Sequence, residues 1–174
     1  WFEAIKKECK NVKQNVGLLD MTAFAKCRIK GPGAEEFLDN LVANKLPKKI
    51  GRINLCHALN TKGGVHSEFT IMREAEDSFY LVSAGAFQRL DHDWIHRWMP
   101  KDGSVQFENL TNSNGVLVVS GPKARELMQR VSTDDFSNDN FKWLSAKMVD
   151  IGYAPVNAMR VNFVGELGWE LHHP

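Results

Sequence analysis

The strongest constraint on the fold is a passage that occurs twice. Arg28-Ile29-Lys30-Gly31-Pro32-Gly33-Ala34-Glu35-Glu36-Phe37-Leu38 is matched by Val118-Val119-Ser120-Gly121-Pro122-Lys123-Ala124-Arg125-Glu126-Leu127-Met128. Each copy reads as a strand, a Gly-Pro corner and a helix. Glycine ends the strand, and proline sits in the first helical turn, where a backbone N–H would have no partner. The offset is 90 residues, from Gly31 to Gly121. A second match follows: Leu59-Asn60, Gly63 and Glu68-Phe69 align with Val161-Asn162, Gly165 and Glu170-Leu171. Its offset is 102, from Glu68 to Glu170, so extra residues are expected before the second hairpin. Two matches in one order predict a duplicated strand–helix–hairpin unit and an α+β fold. The first unit continues past its hairpin into a strand and a helix. The second is expected to lack its last strand and helix, which would leave an open sheet edge. On that reading the sequence is part of a longer protein.

The remaining elements follow from periodicity. Phe2, Ile5, Cys9, Val12 and Val16 recur at helical spacing over Trp1–Val16, and Gly17 stops the helix. Leu18–Thr22 is extended and Phe24–Ile29 is a strand. Ala34–Ala43 is an amphipathic helix with Phe37, Leu38, Leu41 and Val42 inward, and Lys45–Gly51 is a basic loop. Ile53–Asn60 and Val65–Arg73 flank Thr61-Lys62-Gly63-Gly64, a hairpin turn in which glycine tolerates positive φ. A polar turn at Glu74–Ser78 leads to a strand at Phe79–Ala84 and a helix at Phe87–Met99. Strands are expected at Val105–Asn109, Gly115–Ser120, Ala146–Ile151, Val156–Phe163 and Leu167–Leu171, with a helix at Lys123–Val131.

Composition removes several classes. Lys+Arg number 22 against Asp+Glu 21, without the basic excess of a nucleic-acid binder. No apolar run approaches the length of a membrane helix. Cys9, Cys27 and Cys56 are odd in number and widely spaced, as expected of buried thiols in a reducing compartment.

Glu68 and Glu170 stand at matching places in the two hairpins, among Phe69 and Ile71 and among Leu167, Trp169 and Leu171. A carboxylate within an apolar strand needs a partner or a chemical role. An exposed Glu on a solvated strand face is the alternative. His92 and His96 are spaced i, i+4, yet Asp93 stands where a zinc helix would carry Glu, and no third ligand is near. A solvated helix face is expected there, and no metal site. Gly31-Pro32-Gly33 is too short for a nucleotide loop. Lys45, Lys48, Lys49 and Arg52 read as a solvated loop, with attraction of an acidic ligand or tail as the alternative.

Gly17-Leu18-Leu19-Asp20-Met21, Ile29-Lys30-Gly31-Pro32-Gly33-Ala34, Leu41-Val42-Ala43-Asn44 and Gly63-Gly64-Val65 with Ser67-Glu68 resemble the folate-binding aminomethyltransferase family. So do Gly115-Val116-Leu117 with Gly121-Pro122 and, most specifically, the block Phe163–Leu171. The family includes the glycine cleavage T-protein. The resemblance is greatest to the C-terminal folate module of dimethylglycine and sarcosine dehydrogenases, and it covers nearly the whole chain. It implies tandem ferredoxin-like halves with a small barrel around a central folate site. Residues 1–174 would form the N-terminal part of such a module, incomplete at the C-terminus, with the first half at 18–100 and the start of the second at 104–174.

The same resemblance implies the site. The family's catalytic acid falls on Glu68, where the T-protein and oxidase relatives have Asp. The pterin-binding Glu falls on Glu170, a Tyr of the oxidase group falls on Phe163, and an Asn of the T-protein falls on Ala84. Further folate contacts map to Leu55, Thr70, Val82, Leu171 and His172. The two carboxylates are expected to converge on one enclosed pocket. The implied cofactor is tetrahydrofolate, with FAD only in a separate region absent from this chain. The implied activity is one-carbon transfer that forms 5,10-methylenetetrahydrofolate. The implied partners are folate, a small methylated amine or its iminium or formaldehyde product, and a flavin oxidase region in cis or trans, with neither nucleic acid nor membrane. The setting would be cytoplasmic in a bacterium and the mitochondrial matrix in a eukaryote. The three departures from the family pattern leave open a non-catalytic folate-binding or structural module, or a demethylase with another methyl donor.

Overall fold

The computed structural model describes residues 1–174. Its elements are α1 (Phe2–Gln14), β1 (Gly17–Asp20), β2 (Ala25–Lys30), α2 (Ala34–Leu41), β3 (Ile53–Leu59), β4 (Val65–Ala75) and β5 (Ser78–Ser83). After a 3₁₀ turn (Gly85–Phe87) come α3 (Gln88–Trp98), β6 (Gln106–Asn109), β7 (Gly115–Ser120), α4 (Ala124–Val131), β8 (Ala146–Ile151), β9 (Ala154–Met159) and β10 (Gly168–His173). No helix is long and apolar enough to cross a membrane.

The chain forms two compact units, Ala23–Ser113 and Trp1–Thr22 with Asn114–Pro174. In Ala23–Ser113 the antiparallel sheet runs β3-β4-β5-β2-β6. Strand alternation turns Ile29, Phe69, Ile71, Phe79 and Leu81 to one face. They meet Phe37, Leu38 and Leu41 of α2 and Ile95 of α3 in one buried cluster. In the other unit the sheet runs β1-β7-β10-β9-β8. Its core joins Val119, Val149, Val156, Ala158 and Trp169 to Ala124 and Met128 of α4 and to Phe136 and Phe141 of the loop after it. None of the residues of α1 is buried, so its apolar stripe does not join this core.

The two sheets have one plan. A first strand, a helix and three further strands are laid out as β3-β4-β5-β2 and as β8-β9-β10-β7. The outer neighbour of the first strand is β6 in one sheet and β1 in the other. This corrects the sequence reading in three respects. Ser78 pairs with Lys30, just before the first Gly-Pro corner, and Gly168 pairs with Ser120, just before the second. Thus β10 corresponds to β5 at the same 90-residue offset as the corners, and the offset of 102 is spurious. The second sheet also has its last strand, which is β10. The division at residues 18–100 and 104–174 fails as well, because β1 belongs to the sheet of the later half. A four-residue strand carries too little pattern to name its partner.

Backbone hydrogen bonds repeat at the start of the third strand's neighbour. The Gly51 N–H donates to the Arg73 carbonyl, and the Arg73 N–H to the Arg52 carbonyl. In the later half Leu144 donates to Arg160, and Arg160 to Ser145. Gly51 has φ 76°, and Leu144 has φ 53°, the one non-glycine residue with positive φ. A left-handed L-residue costs about 1–2 kcal/mol. Leu144→Gly is therefore expected to be more stable than Leu144→Ala by about 1 kcal/mol, the reverse of the usual order. Urea denaturation of the two variants measures it, and an Ala variant as stable as the Gly variant refutes it.

Local details also depart from expectation. Strand β9 ends at Met159, so Phe163 lies beyond it in a turn. Strand β4 runs on to Ala75, leaving only Glu76 and Asp77 as the turn to β5. His92 is half-buried and packs edge-on against Phe107, and His96 packs on the same ring, so this helix face is not simply solvated. Burial pushes the Cys27 thiol up to about 12 and the Cys56 thiol up to about 11, as inert core thiols require. Cys9 is exposed, against expectation.

Candidate functional site

In Ala23–Ser113 the sheet has a second face, opposite its core. Register places Leu55 opposite Thr70, Thr70 opposite Val82, and Val82 opposite Lys26. Three of the expected folate contacts therefore form one row across β3, β4 and β5. Leu55 is exposed, Thr70 is intermediate, and Val82 and Lys26 are buried. The Lys26 ammonium donates to the Phe24 carbonyl at 2.8 Å, which supplies one of the hydrogen bonds a buried cation needs. One step along the strands, His57 stands opposite Glu68. His57 Nε2 and Glu68 Oε2 are 2.8 Å apart, and His57 Nδ1 lies 3.4 Å from Asn44 Oδ1. The Glu68 side chain is 52% exposed, so the buried character of β4 belongs to Phe69 and Ile71 on its other face. Ala84 is exposed at the start of the 3₁₀ turn.

In the other unit β10 is the middle strand, and five of its six residues are buried. Alternation divides them. Trp169 and Leu171 enter the core with α4, while Glu170 and His172 share the opposite face. Leu171 thus shows its side chain to the core, and only its backbone is shared with the Glu170 face. Glu170 is 7% exposed, flanked across the strands by Val118 and Met159. Its Oε2 lies 3.2 Å from His172 Nε2, and its Oε1 makes no hydrogen bond. Phe163 is 86% exposed in the turn before β10. That turn is shaped by Asn162, whose Oδ1 accepts the Val164 N–H at 2.8 Å and whose amide donates to Ser120 Oγ.

Glu68 and Glu170 are therefore not on equivalent strands. Glu68 is on β4, second in its sheet, and Glu170 is on β10, the counterpart of β5. Their environments differ accordingly. Glu68 is half-exposed and paired across strands, whereas Glu170 is buried with one oxygen spare. His57 and Lys26 go unmarked in the sequence, and Asn44 stands there only as the end of the motif Leu41–Asn44. Counting outward from the hairpin turn brings His57 near Glu68, but the register shift between Ala58 and Leu59 spoils the count.

Residues 1–174 match the family described as the GCVT N-terminal domain. The chain belongs to that family. This GCVT domain is 39% identical over 174 residues to mouse mitochondrial dimethylglycine dehydrogenase, covering 99% of the chain and 20% of that protein. It is 31% identical over 188 residues to human mitochondrial sarcosine dehydrogenase, covering 99% of the chain and 20% of that protein. The GCVT domain thus spans about a fifth of the length of these relatives. Its fold is that of the glycine cleavage aminomethyltransferase T of Bartonella henselae, with a TM-score of 0.82, 21% identity, and coverage of 97% of this chain and 44% of that one. The GCVT domain is an aminomethyltransferase-family domain of α+β class, related to dimethylglycine and sarcosine dehydrogenases.

Proposed function

We propose that this chain binds tetrahydrofolate and serves one-carbon transfer in an enzyme of the dimethylglycine or sarcosine dehydrogenase type, with 5,10-methylenetetrahydrofolate as product. The observation that carries the reading is the spare oxygen of Glu170. A largely buried carboxylate with one oxygen outside its contact with His172 has an acceptor available to a ligand donor. The edge of a reduced pterin offers a ring N–H beside an amino group, and a carboxylate accepts such a pair as it accepts the two N–H groups of arginine. The donor chemistry of the pterin edge fits Glu170.

Tetrahydrofolate, when bound, supplies a nucleophilic ring nitrogen for a carbon at the oxidation level of formaldehyde. The side chains do the rest. Glu170 fixes orientation through its carboxylate. Glu68 carries negative charge where positive charge develops, and its Oε1 is open to accept a proton. Leu55 and Val82 restrict water, which would otherwise release free formaldehyde. The amine would be a small methylated one oxidised by a flavin region in cis or trans. In a eukaryote the matrix would be the setting, in keeping with the mitochondrial names of the relatives.

Glu68→Ala tests the catalytic assignment. Loss of the general base is expected to lower formaldehyde-dependent methylenetetrahydrofolate formation by roughly 10²–10⁴-fold, with tetrahydrofolate affinity retained. Full activity of Glu68→Ala would end the assignment. Binding without turnover in the unaltered protein would instead favour a non-catalytic folate module, the reading to which Phe163, exposed and without the hydroxyl of the oxidase-group Tyr that the resemblance aligns with it, lends weight.

A further inference from the structure

We infer that His57, held by Asn44, is a positioning residue for Glu68. The inference rests on the catalytic reading of Glu68. A glutamate side chain has three rotatable bonds, and a free Glu on a strand face samples several rotamers that move its oxygens by ångströms. Catalysis by a carboxylate depends on holding it near one geometry, since a displacement of about 1 Å can cost roughly 100-fold in rate. Something must therefore fix Glu68.

The structure holds a complete arrangement for doing so within one unit. His57 is the cross-strand partner of Glu68, at a distance where side chains on paired strands meet. Its Nε2 engages Oε2 at 2.8 Å, and Glu68 makes no other bond, so Oε1 is the oxygen presented outward. With its proton on Nε2 the ring donates to Glu68 and presents Nδ1 as an acceptor, so Asn44, whose amide lies 3.4 Å from Nδ1, braces it with the NH₂ turned to that nitrogen. Asn44 lies in a segment laced along edge strand β3 on both sides. The Ala43 N–H donates to the His57 carbonyl at 2.9 Å, and the Asn54 amide donates to the Lys45 carbonyl at 2.7 Å. The chain Asn44–His57–Glu68 thus runs from a fixed backbone to a carboxylate oxygen. It ends beside the row formed by Leu55, Thr70 and Val82. As a contribution to stability the pair is minor, because half-exposed ion pairs are worth about 0–1 kcal/mol. Its effect is to orient.

The test uses the full-length protein with His57→Leu, His57→Gln, Glu68→Ala and the double variant. His57→Leu is expected to lower kcat by roughly 10- to 100-fold with an unchanged KM for tetrahydrofolate. His57→Gln keeps an N–H donor for Glu68 and is expected to recover most of that loss. If His57 acts through Glu68, the double variant is no slower than Glu68→Ala alone. A second readout needs no folate. In the ligand-free protein the ¹⁵N resonance of His57 Nε2 shifts in Glu68→Ala, and the tetrahydrofolate Kd from tryptophan fluorescence is unmoved by His57→Leu. Wild-type kcat in His57→Leu, a His57→Gln as slow as His57→Leu, or a full further loss in the double variant overturns the inference. Those failures are separable from failure of the underlying reading, which shows itself as an active Glu68→Ala.

Discussion

Glu170→Gln raises the Kd for tetrahydrofolate by roughly 10- to 100-fold while leaving the fold intact. The magnitude follows from the bonds lost. A hydrogen bond to a charged group contributes about 1.5–3 kcal/mol, and 1.4 kcal/mol is tenfold in affinity. Glutamine has nearly the same shape, so the packing of Val118 and Met159 against this position is preserved. It has one acceptor oxygen rather than two. If that oxygen stays with His172, an amide NH₂ meets the incoming N–H groups, donor against donor. If it turns to the pterin, the NH₂ faces His172 Nε2, which clashes while that nitrogen keeps the proton it donates to Glu170 and otherwise forces the ring into its other tautomer. Either a donor meets a donor or the His172 tautomer must change, in a site where both residues are almost wholly buried. Titration by tryptophan fluorescence reads the affinity, and a urea midpoint shows that the variant folds. An unchanged Kd in a folded Glu170→Gln protein would remove Glu170 from the binding site.

How far the sequence discloses this arrangement depends on whether the signal is local. The two Gly-Pro corners are legible because Gly31 and Gly121 have φ 119° and 131°, where a side chain would be strained. An added Cβ would also collide with the Ser104 carbonyl at one and the Asn15 carbonyl at the other. The inward faces of α2 and α4 are legible from their period. The partner of β1 is not, since pairing is a long-range choice. The false second match is instructive. Both hairpins carry Asn, Gly and Glu at like spacing, but turn residues recur wherever a chain must reverse, so they report turns rather than ancestry. Glu170 is marked by the sequence at the wrong position in the plan, as the counterpart of Glu68 rather than of a β5 residue. The brace on Glu68 was hidden because it needs the register of β3 on β4, a bulge included, and the return of the chain at Asn44.

The corrected plan makes Trp169 and Phe79 counterparts, each at the second residue of its strand and each fully buried. Each has an arginine over its ring: Arg73 at 4.7 Å from Phe79, and Arg125 and Arg160 at 5.8 and 5.7 Å from Trp169. Trp169 also meets Phe136 and Phe141 edge-on, with centroids 5.3 and 5.9 Å away. Trp169→Ala is therefore expected to destabilise by about 3–5 kcal/mol, the range for removing a buried aromatic side chain and leaving a cavity. The guanidinium groups cannot follow the collapsing core. Arg125 is tied to the Phe136 carbonyl and Arg160 to the Phe141 carbonyl, and both hold Asn138 Oδ1. Against a total of about 5–15 kcal/mol this leaves a marginal domain, in which folate binding fails for want of a folded β10. Trp169→Phe separates the two causes. The Trp169 indole N–H has no hydrogen-bond partner, so phenylalanine deletes an unmet donor along with some volume. Its cost is expected to be less than half that of alanine, with binding retained. Urea midpoints and fluorescence-independent calorimetric titration give both quantities. A Trp169→Phe protein as unstable as Trp169→Ala would show that the indole's size alone holds this core.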